Sequence, residues 1–254
     1  MAAAGVLAVT VIGVTSAPGP TPGTASGPPS AVTPAPTTTT PGSAAPSPAP
    51  PVFDKAARSI DDPASIWVVV NKRRPLNPLD YAPADLVFPD VPDVDRQPLR
   101  QEAANAITAM FAAGGTETGL AFQVQSAYRD YGTQVNVHNG WVDRLGQAAA
   151  DRTSARPGVS EHQTGLAVDI SSVPAVCPLQ ICFAETGQAV WLAANAWRFG
   201  FILRYPADKT AITGYEFEPY HFRYVGPELA AELHAAGVTT LEEFFGLPPA
   251  PEYG

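Results

Sequence analysis

The chain has 254 residues, of which 15 are Lys or Arg and 24 are Asp or Glu, so its formal net charge at pH 7 is −9. This charge argues against a nucleic-acid binder, because neutralising phosphates requires clustered cations. Only one short basic run occurs, Asn-Lys-Arg-Arg at residues 71–74, in an otherwise acidic chain. We therefore expect no nucleic-acid partner.

The N-terminal part of the chain differs in composition from the rest, because no charged residue precedes Asp54. Residues 1–17 form an apolar run that ends in small residues, which is typical of an export signal or a short membrane anchor. Residues 18–52 hold 12 of the 28 prolines, and a segment with so little to bury is expected to be a disordered stalk. Residues 53–254 then form the domain, which ends in a short tail. We expect the domain to lie outside the cytoplasm, with membrane contact only through the apolar segment if that segment is not cleaved.

Hydrophobic periodicity and turn residues predict the elements of this domain. In chain order, we expect a strand at 66–70, a helix at 99–113 ended by two glycines, a strand within 120–129, a helix at 131–149, a strand at 166–170, a helix at 185–199, strands at 201–205 and 221–225, and helices at 227–236 and 240–244. Helices and strands do not alternate regularly. The pattern favours an α+β fold over a doubly wound sheet.

The chain contains two cysteines, Cys177 and Cys182, which four residues separate. In an exported protein this spacing favours a small disulfide loop. A zinc site made of thiolates is the alternative, but two cysteines without a second pair cannot complete a tetrahedral site by themselves. We expect the disulfide.

Histidine chemistry has few residues to draw on, since the chain has histidines only at positions 138, 162, 221 and 234. His162 lies in the segment Ser-Glu-His-Gln-Thr-Gly-Leu-Ala-Val-Asp, which ends at Asp169. A turn at Gly165 can fold His162 back, so that its imidazole and the Asp169 carboxylate converge as two metal ligands would. His138 and His234 lie on helical segments without partners at a useful spacing, and we expect both to be solvated.

A third ligand is available in the segment Glu-Pro-Tyr-His, where His221 follows Glu218 by three residues. Two imidazoles and one carboxylate leave a position of Zn²⁺ open for water, and Glu218 is a candidate base for that water. The helical motif His-Glu-x-x-His is absent from the sequence. Taken singly, each histidine also fits an ordinary hydrogen-bonded residue, and Asp169 also fits a cap or an ion pair with Arg.

Three segments together resemble a known family. Residues 126–134 (Ser-Ala-Tyr-Arg-Asp-Tyr-Gly-Thr-Gln), 160–169 and 218–226 (Glu-Pro-Tyr-His-Phe-Arg-Tyr-Val-Gly) resemble, in order and spacing, the sequence blocks of the VanY-type zinc D-alanyl-D-alanine carboxypeptidases. These enzymes are relatives of the dipeptidase VanX and of the hedgehog amino-terminal domain. The resemblance covers roughly residues 66–246. It implies a small, mainly antiparallel sheet flanked by helices.

The resemblance also implies roles for individual residues. His162, Asp169 and His221 would bind one catalytic Zn²⁺, and Glu218 would be the catalytic base. Arg129 would direct its guanidinium at the oxyanion that develops on the scissile carbonyl.

Substrate-binding roles follow from the same resemblance. Gln134 and Ser160 would hold the substrate, and Tyr220 would form an aromatic wall. The family commonly has Trp at the position of Tyr220, so this chain departs from the pattern by adding a hydroxyl group to the pocket.

The implied activity is zinc-dependent hydrolysis of the C-terminal D-alanyl-D-alanine bond of peptidoglycan stem peptides. We expect the exported protein to be a monomer that is associated with the cell wall or anchored in the membrane. Three alternatives stay open: an L,D-carboxypeptidase acting on tetrapeptide stems, an endopeptidase that cuts within cross-links, and a catalytically silent, zinc-containing cell-wall binding module. Glu218 argues against the silent module, because a binder has no need of a base beside an open zinc position.

Overall fold

The computed structural model describes residues 52–254, so the predicted export segment (1–17) and nearly all of the predicted stalk (18–52) lie outside the described residues. The elements in the described part are β1 (Leu86–Val87), β2 (Leu99–Arg100), α1 (Gln101–Thr118), β3 (Phe122–Ser126), α2 (Tyr131–Leu145), α3 (Gln147–Thr153), β4 (Ala167–Ser172), α4 (Gly187–Asn195), β5 (Phe201–Leu203), α5 (Thr210–Thr213), β6 (His221–Tyr224), α6 (Pro227–Ala236) and α7 (Leu241–Phe245). Among these helices, none combines the length and the apolar character that crossing a membrane requires.

The main sheet has four antiparallel strands in the order β3-β4-β6-β5. β1 and β2 form a separate two-stranded ladder. Strand β4 lies between β3 and β6, and all six of its residues are buried. Helices pack around these small sheets, which confirms the α+β fold predicted from the sequence.

Helix α1 forms because apolar residues recur at helical spacing, and it buries Ala103, Ile107 and Met110. The helix does not end at the two glycines as predicted, but runs on to Thr118. A Cβ atom on Gly114 would come within 2.6 Å of the Phe122 ring. Gly114 therefore allows α1 to pack closely against β3, and its lack of a side chain does not stop the helix.

The predicted helix at 131–149 is divided into α2 and α3 at Gly146, which has a φ of 76°. Asp130 caps α2, since its side chain accepts a hydrogen bond of 2.6 Å from the backbone N–H of Thr133. The resulting pair of helices brings residues of α3 against the inner face of α2. This contact affects His138, as described below.

The predicted strand at 66–70 is wrong. All five residues are buried, but their backbone is not part of a sheet. The carbonyl of Val68 accepts a hydrogen bond of 2.8 Å from the Arg223 side chain, and the carbonyl of Val69 accepts one of 3.1 Å from Arg74. Guanidinium groups thus partly replace a neighbouring strand, because buried backbone groups require partners of some kind. An apolar run indicates burial, and it cannot separate a strand from other buried segments.

The later elements follow the prediction closely. β5, β6 and α6 form within the predicted segments, and α7 (Leu241–Phe245) lies one residue beyond the predicted 240–244 at its C-terminal end. The helix expected at 185–199 begins after Thr186, whose hydroxyl accepts from the N–H of Ala189, and its last turn tightens to a 3₁₀ helix at Ala196–Phe199. Gly200 ends it with a φ of 81°, as expected for a C-terminal glycine.

Candidate active site

Three buried side chains converge at the centre of the sheet: His162, Asp169 and His221. Each offers one donor atom, and these atoms lie within 4.8 Å of one another. Asp169 Oδ2 is 3.3 Å from His162 Nε2, and Asp169 Oδ1 is 2.9 Å from His221 Nδ1. The structure thus brings together the three residues that the sequence analysis proposed as metal ligands.

Local structure explains this convergence. His162 lies in a 3₁₀ turn (Glu161–Thr164) that Gly165 ends with a φ of 67°, a conformation that glycine adopts without strain. Asp169 and His221 face each other as paired residues of β4 and β6. The turn and the strand register therefore place all three donors at one point.

The other nitrogen of each imidazole has its own acceptor. His162 Nδ1 is 2.6 Å from the carbonyl oxygen of Ala127, and His221 Nε2 is 3.5 Å from Glu161 Oε2. Histidine ligands of metals typically have such a second partner, which fixes the ring and its tautomer. Tetrahedral zinc bonds of about 2.0–2.1 Å place neighbouring donor atoms about 3.3 Å apart, and the separations of 3.3 and 2.9 Å between the two histidine nitrogens and the Asp169 oxygens are close to this value. The cluster therefore fits a divalent metal ion such as Zn²⁺.

The charges around the cluster also suit a cation, although His221 must release a proton to bind one. Burial and the neighbouring Arg129 lower the pKa of His162 to about 4, so this imidazole is neutral at pH 7. Burial alone would lower the pKa of His221, but its hydrogen bonds to Asp169 and Glu161 outweigh burial and raise the pKa to about 9. The excess of negative charge around His221 is therefore available to balance a metal ion.

Glu218 lies beside this cluster, with Oε2 3.7 Å from His221 Nδ1. Its backbone N–H donates to the carbonyl of Tyr205 at 3.1 Å, which holds the turn before β6. Burial raises the pKa of Glu218 to about 8. A carboxyl group with a raised pKa beside a metal site can accept and return a proton near neutral pH.

Arg129 follows β3, and its backbone N–H donates to the carbonyl of His162 at 3.3 Å. Its side chain lines the same cleft as the metal cluster. Burial lowers the pKa of its guanidinium, although Asp169 and Glu218 act in the opposite direction. The buried Nε–H has no hydrogen-bond partner among the described residues. Because an unpaired buried donor is costly, this group suits an acceptor on a bound ligand.

A cleft opens over the cluster. Besides the three residues of the cluster, Glu218 and Arg129, it is lined by Trp141, Thr153, Ser154, Ala155, Ser160, Glu161, Leu179, Tyr205, Tyr215 and Tyr220. The Tyr205 ring stacks on the His221 ring at 4.8 Å. Aromatic walls with a few convergent polar groups are typical of pockets that bind small ligands.

Two of the three expected substrate-binding residues, Ser160 and Tyr220, line this cleft. Gln134 is buried behind it and is not among the lining residues in the described part of the chain. Its amide donates to the carbonyl of Ala155 at 2.7 Å. Gln134 thus affects the cleft only indirectly, because it supports the backbone of Ala155, which lines the cleft.

The expectation that His138 is solvated is wrong, whereas His234 is exposed as expected. His138 is buried between α2 and α3, where Nδ1 lies 3.1 Å from the carbonyl of Ser154 and Nε2 lies 3.7 Å from Asp151. Its acidic partner, Asp151, lies in α3, so the spacing of residues within α2 could not predict this contact. The exposed His234 ring stacks on Trp197 at 4.1 Å.

Cys177 and Cys182 form the predicted disulfide. Leu179, which lies within the loop that they close, lines the cleft. The disulfide loop is therefore part of the cleft wall.

Three residues of the cleft, Glu161, Trp141 and Tyr205, were not predicted from the sequence. The position of Glu161 directly before His162 was an available signal. Its two arginine partners, however, lie 43 and 62 residues away along the chain, and no local pattern connects them.

Two imidazoles and one carboxylate around a single point, with a carboxyl group and a guanidinium beside them, define a metallopeptidase site. The family comparison agrees, because the model of the D-alanyl-D-alanine carboxypeptidase family VanY matches residues 96–227. The chain belongs to the VanY family, and the resemblance found in the sequence is confirmed.

Known proteins of similar sequence and fold support this assignment. The protein YodJ of Bacillus subtilis (strain 168) is 42% identical over 192 residues, which are 74% of this chain and 69% of YodJ. The LD-carboxypeptidase LdcB, whose structure is known, has 41% sequence identity to this chain. The two structures align with a TM-score of 0.67 over 72% of this chain and 87% of LdcB. A variant of the vancomycin-resistance D,D-pentapeptidase VanY, in complex with Zn(II), is 32% identical with a TM-score of 0.59, covering 72% of this chain and 99% of that one.

Proposed function

We propose that the protein is a zinc-dependent carboxypeptidase that hydrolyses the C-terminal D-alanyl-D-alanine bond of peptidoglycan stem peptides. The observation that carries this proposal is the convergence of His162, Asp169 and His221 with Glu218 beside them. Membership of the VanY family supports the type of substrate. The Zn(II) complex of the related D,D-pentapeptidase supports the metal.

In this proposal, His162, Asp169 and His221 would hold a zinc ion, which when bound would supply polarisation of the scissile carbonyl and a lowered pKa for the attacking water. Glu218 takes the proton of the attacking water and passes it to the leaving amine. Arg129 donates to the oxygen on which negative charge develops. Tyr205 and Tyr220 keep bulk water away from these steps, which strengthens the electrostatic contribution of the charged groups.

A second candidate is an L,D-carboxypeptidase that acts on tetrapeptide stems. The LD-carboxypeptidase LdcB matches this chain with higher identity and TM-score (41% and 0.67) than the D,D-pentapeptidase VanY (32% and 0.59). The chemistry would be identical, because both reactions hydrolyse a terminal amide. The two candidates differ in the residue before the cleaved bond, which is D-alanine in the pentapeptide and an L-amino acid in the tetrapeptide.

We infer that the domain works outside the cytoplasm. The apolar segment at 1–17 and the uncharged, proline-rich residues that follow support this inference. Stem peptides are also an extracytoplasmic substrate, so the inferred location and the proposed substrate agree.

The test is amino-acid release by the zinc-loaded protein from a synthetic pentapeptide stem and from the matching tetrapeptide, each with a free or an amidated C-terminus. We expect D-alanine from the free pentapeptide and none from its amide. Release from the tetrapeptide alone would assign the L,D activity. Equal cleavage of the amide would contradict a carboxypeptidase, and no turnover by a zinc-loaded protein would favour a binding module.

A further inference from the structure

A buried network of charges lies next to the metal cluster, and Glu161 is at its centre. The Glu161 side chain is fully buried. Its Oε1 accepts hydrogen bonds of 2.8 Å from Arg204 Nε and 2.9 Å from Arg223 Nη1. Its Oε2 lies 3.5 Å from Nε2 of His221. One carboxylate therefore contacts two guanidinium groups with one oxygen and a candidate metal ligand with the other.

Both arginines are fixed by further contacts. Arg204 makes a bidentate ion pair with Glu242, with N–O distances of 2.9 and 2.7 Å. Glu242 also accepts a hydrogen bond from the side-chain amide of Asn71. Arg223 donates to the carbonyl of Val68 at 2.8 Å. Neither arginine side chain is exposed to solvent. Glu161 is consequently held between two anchored cations and has little freedom to turn.

The two carboxylate oxygens of Glu161 have different hydrogen-bond partners. Oε1 makes both hydrogen bonds to arginine, and within the described residues Oε2 has His221 as its hydrogen-bond partner. Glu242 pairs with Arg204 as well, but it makes no contact with the metal cluster. A purely structural role of the network would not require Oε2 to face an imidazole.

The chemistry of histidine gives this contact a consequence. A histidine that binds a metal has given up one proton, so its neutral ring keeps one N–H and one lone pair, and an ionised carboxylate can only accept a hydrogen bond. Glu161 therefore keeps the proton on Nε2 of His221 and leaves the lone pair on Nδ1. Nδ1 is the atom that lies 2.9 Å from Asp169 Oδ1 and 3.7 Å from Glu218 Oε2.

We propose that Glu161 is a positioning residue that fixes the tautomer and the ring orientation of His221, so that Nδ1 faces the metal. The inference rests on the zinc site of the proposed function and adds a residue to which that function gave no role. His162 has a different arrangement, because its second nitrogen faces the backbone carbonyl of Ala127. Glu161 is thus the orienting group that side-chain substitution can remove.

The experiment compares Glu161→Gln with Glu242→Gln. Each change removes one negative charge from the same network with almost no change of volume, and Glu242 serves as the matched control because it does not touch His221. Zinc affinity is measured by competition with a chromophoric chelator, without any substrate. We expect Glu161→Gln to weaken zinc binding by about 10- to 100-fold, the usual effect of losing an orienting partner, and Glu242→Gln to leave it unchanged. Equal zinc affinities, or equal losses in the two variants, would overturn the proposal.

A second measurement does not depend on the variants folding. Nitrogen-15 NMR of the zinc-loaded wild-type protein reports which ring nitrogen of His221 carries the proton. We expect a slowly exchanging proton on Nε2, and a proton on Nδ1 would overturn the proposal. Both measurements are independent of turnover. A protein that shows the Glu161 dependence but hydrolyses no stem peptide would retain this inference and lose the proposed function.

Discussion

Oε2 of Glu218 lies 3.7 Å from Nδ1 of His221, three residues further along the chain. A tight turn produces this approach, because the N–H of His221 donates to the carbonyl of Glu218 at 3.0 Å. The same ring nitrogen faces Asp169. The proposed base and the proposed metal ligand therefore act on one small volume, in which an attacking water would be held.

Glu218→Gln tests the role of the base. We expect kcat to fall by about 10²- to 10⁴-fold, because the amide cannot accept the proton of water. Zinc content should stay unchanged, since His162, Asp169 and His221 are intact. D-alanine release and metal analysis on the same preparation check both points. A variant with zinc bound and near-normal kcat would remove Glu218 from the mechanism.

Arg129→Lys tests the oxyanion donor. The flexible ammonium cannot reproduce the fork of the guanidinium, so we expect kcat/KM to fall by about 10²- to 10³-fold. Thermal stability should not fall, because the buried Nε–H of Arg129 has no partner among the described residues. Arg58→Lys, on the exposed surface, is the matched control. The role is refuted if both variants have wild-type kinetics.

Metal removal should lower the thermal stability of the domain. A ligand that binds the folded state at a thousand times its Kd contributes about 4 kcal/mol, which for a domain of this size corresponds to a decrease in Tm of about 10 °C. Calorimetry before and after treatment with a chelator measures the effect, and added Zn²⁺ should reverse it. Asp169→Ala should show no response to either treatment. An unchanged Tm of the wild type would mean that the cluster binds no metal under these conditions.

Stability in acid should depend on the buried network. Burial alone would raise the pKa of Glu242, but Arg204 outweighs burial and holds the pKa below its usual value of 4.5. The unfolded chain therefore takes up a proton at a higher pH than the folded protein does. The contribution of Glu242 is fully present above about pH 4.5 and is lost as the pH falls through the lower folded-state pKa.

Urea unfolding between pH 6 and pH 3 measures this dependence. The Glu242→Gln variant should be less stable at pH 6 by roughly 3–5 kcal/mol, because Arg204 loses a buried charged partner. Its stability should also decline less steeply in acid, since glutamine does not titrate. Parallel curves for the two proteins would show that Glu242 does not carry the effect.

Loss of the disulfide should affect substrate binding more than chemistry. The loop between Cys177 and Cys182 contains Leu179, which lines the cleft. Replacing both cysteines with serine should raise KM several-fold, leave kcat nearly unchanged, and lower the free energy of unfolding by roughly 2 kcal/mol. Steady-state kinetics and urea unfolding measure these quantities, and a reduced wild-type sample is the control. A large loss of kcat with an unchanged KM would contradict this role of the loop.

The sequence was informative where the site depends on short segments. His162 and Asp169 are seven residues apart, Glu218 and His221 are three apart, and glycine at position 165 indicated the turn that brings the first pair together. These intervals are shorter than an average helix, so strand and turn geometry could be applied to them directly.

Features that depend on distant partners could not be predicted. Glu161 finds its arginines 43 and 62 residues away, and the buried segment at 66–70 is hydrogen-bonded by a side chain from β6. Gly114 shows a second limit of prediction from sequence, because glycine occurs both at helix ends and where a helix packs closely against a neighbouring element. Only the position of Phe122 against α1 decides between these two uses.

The pairing of Asp169 with His221 across β4 and β6 also has a consequence for folding. Successive side chains of a strand point to opposite faces, so a slip of one residue between these strands would turn one of the two away from the other. Misaligned chains would lack the complete set of donors and would not bind the ion. With the proposed zinc site, we therefore expect zinc present during refolding to favour the native alignment of the two central strands.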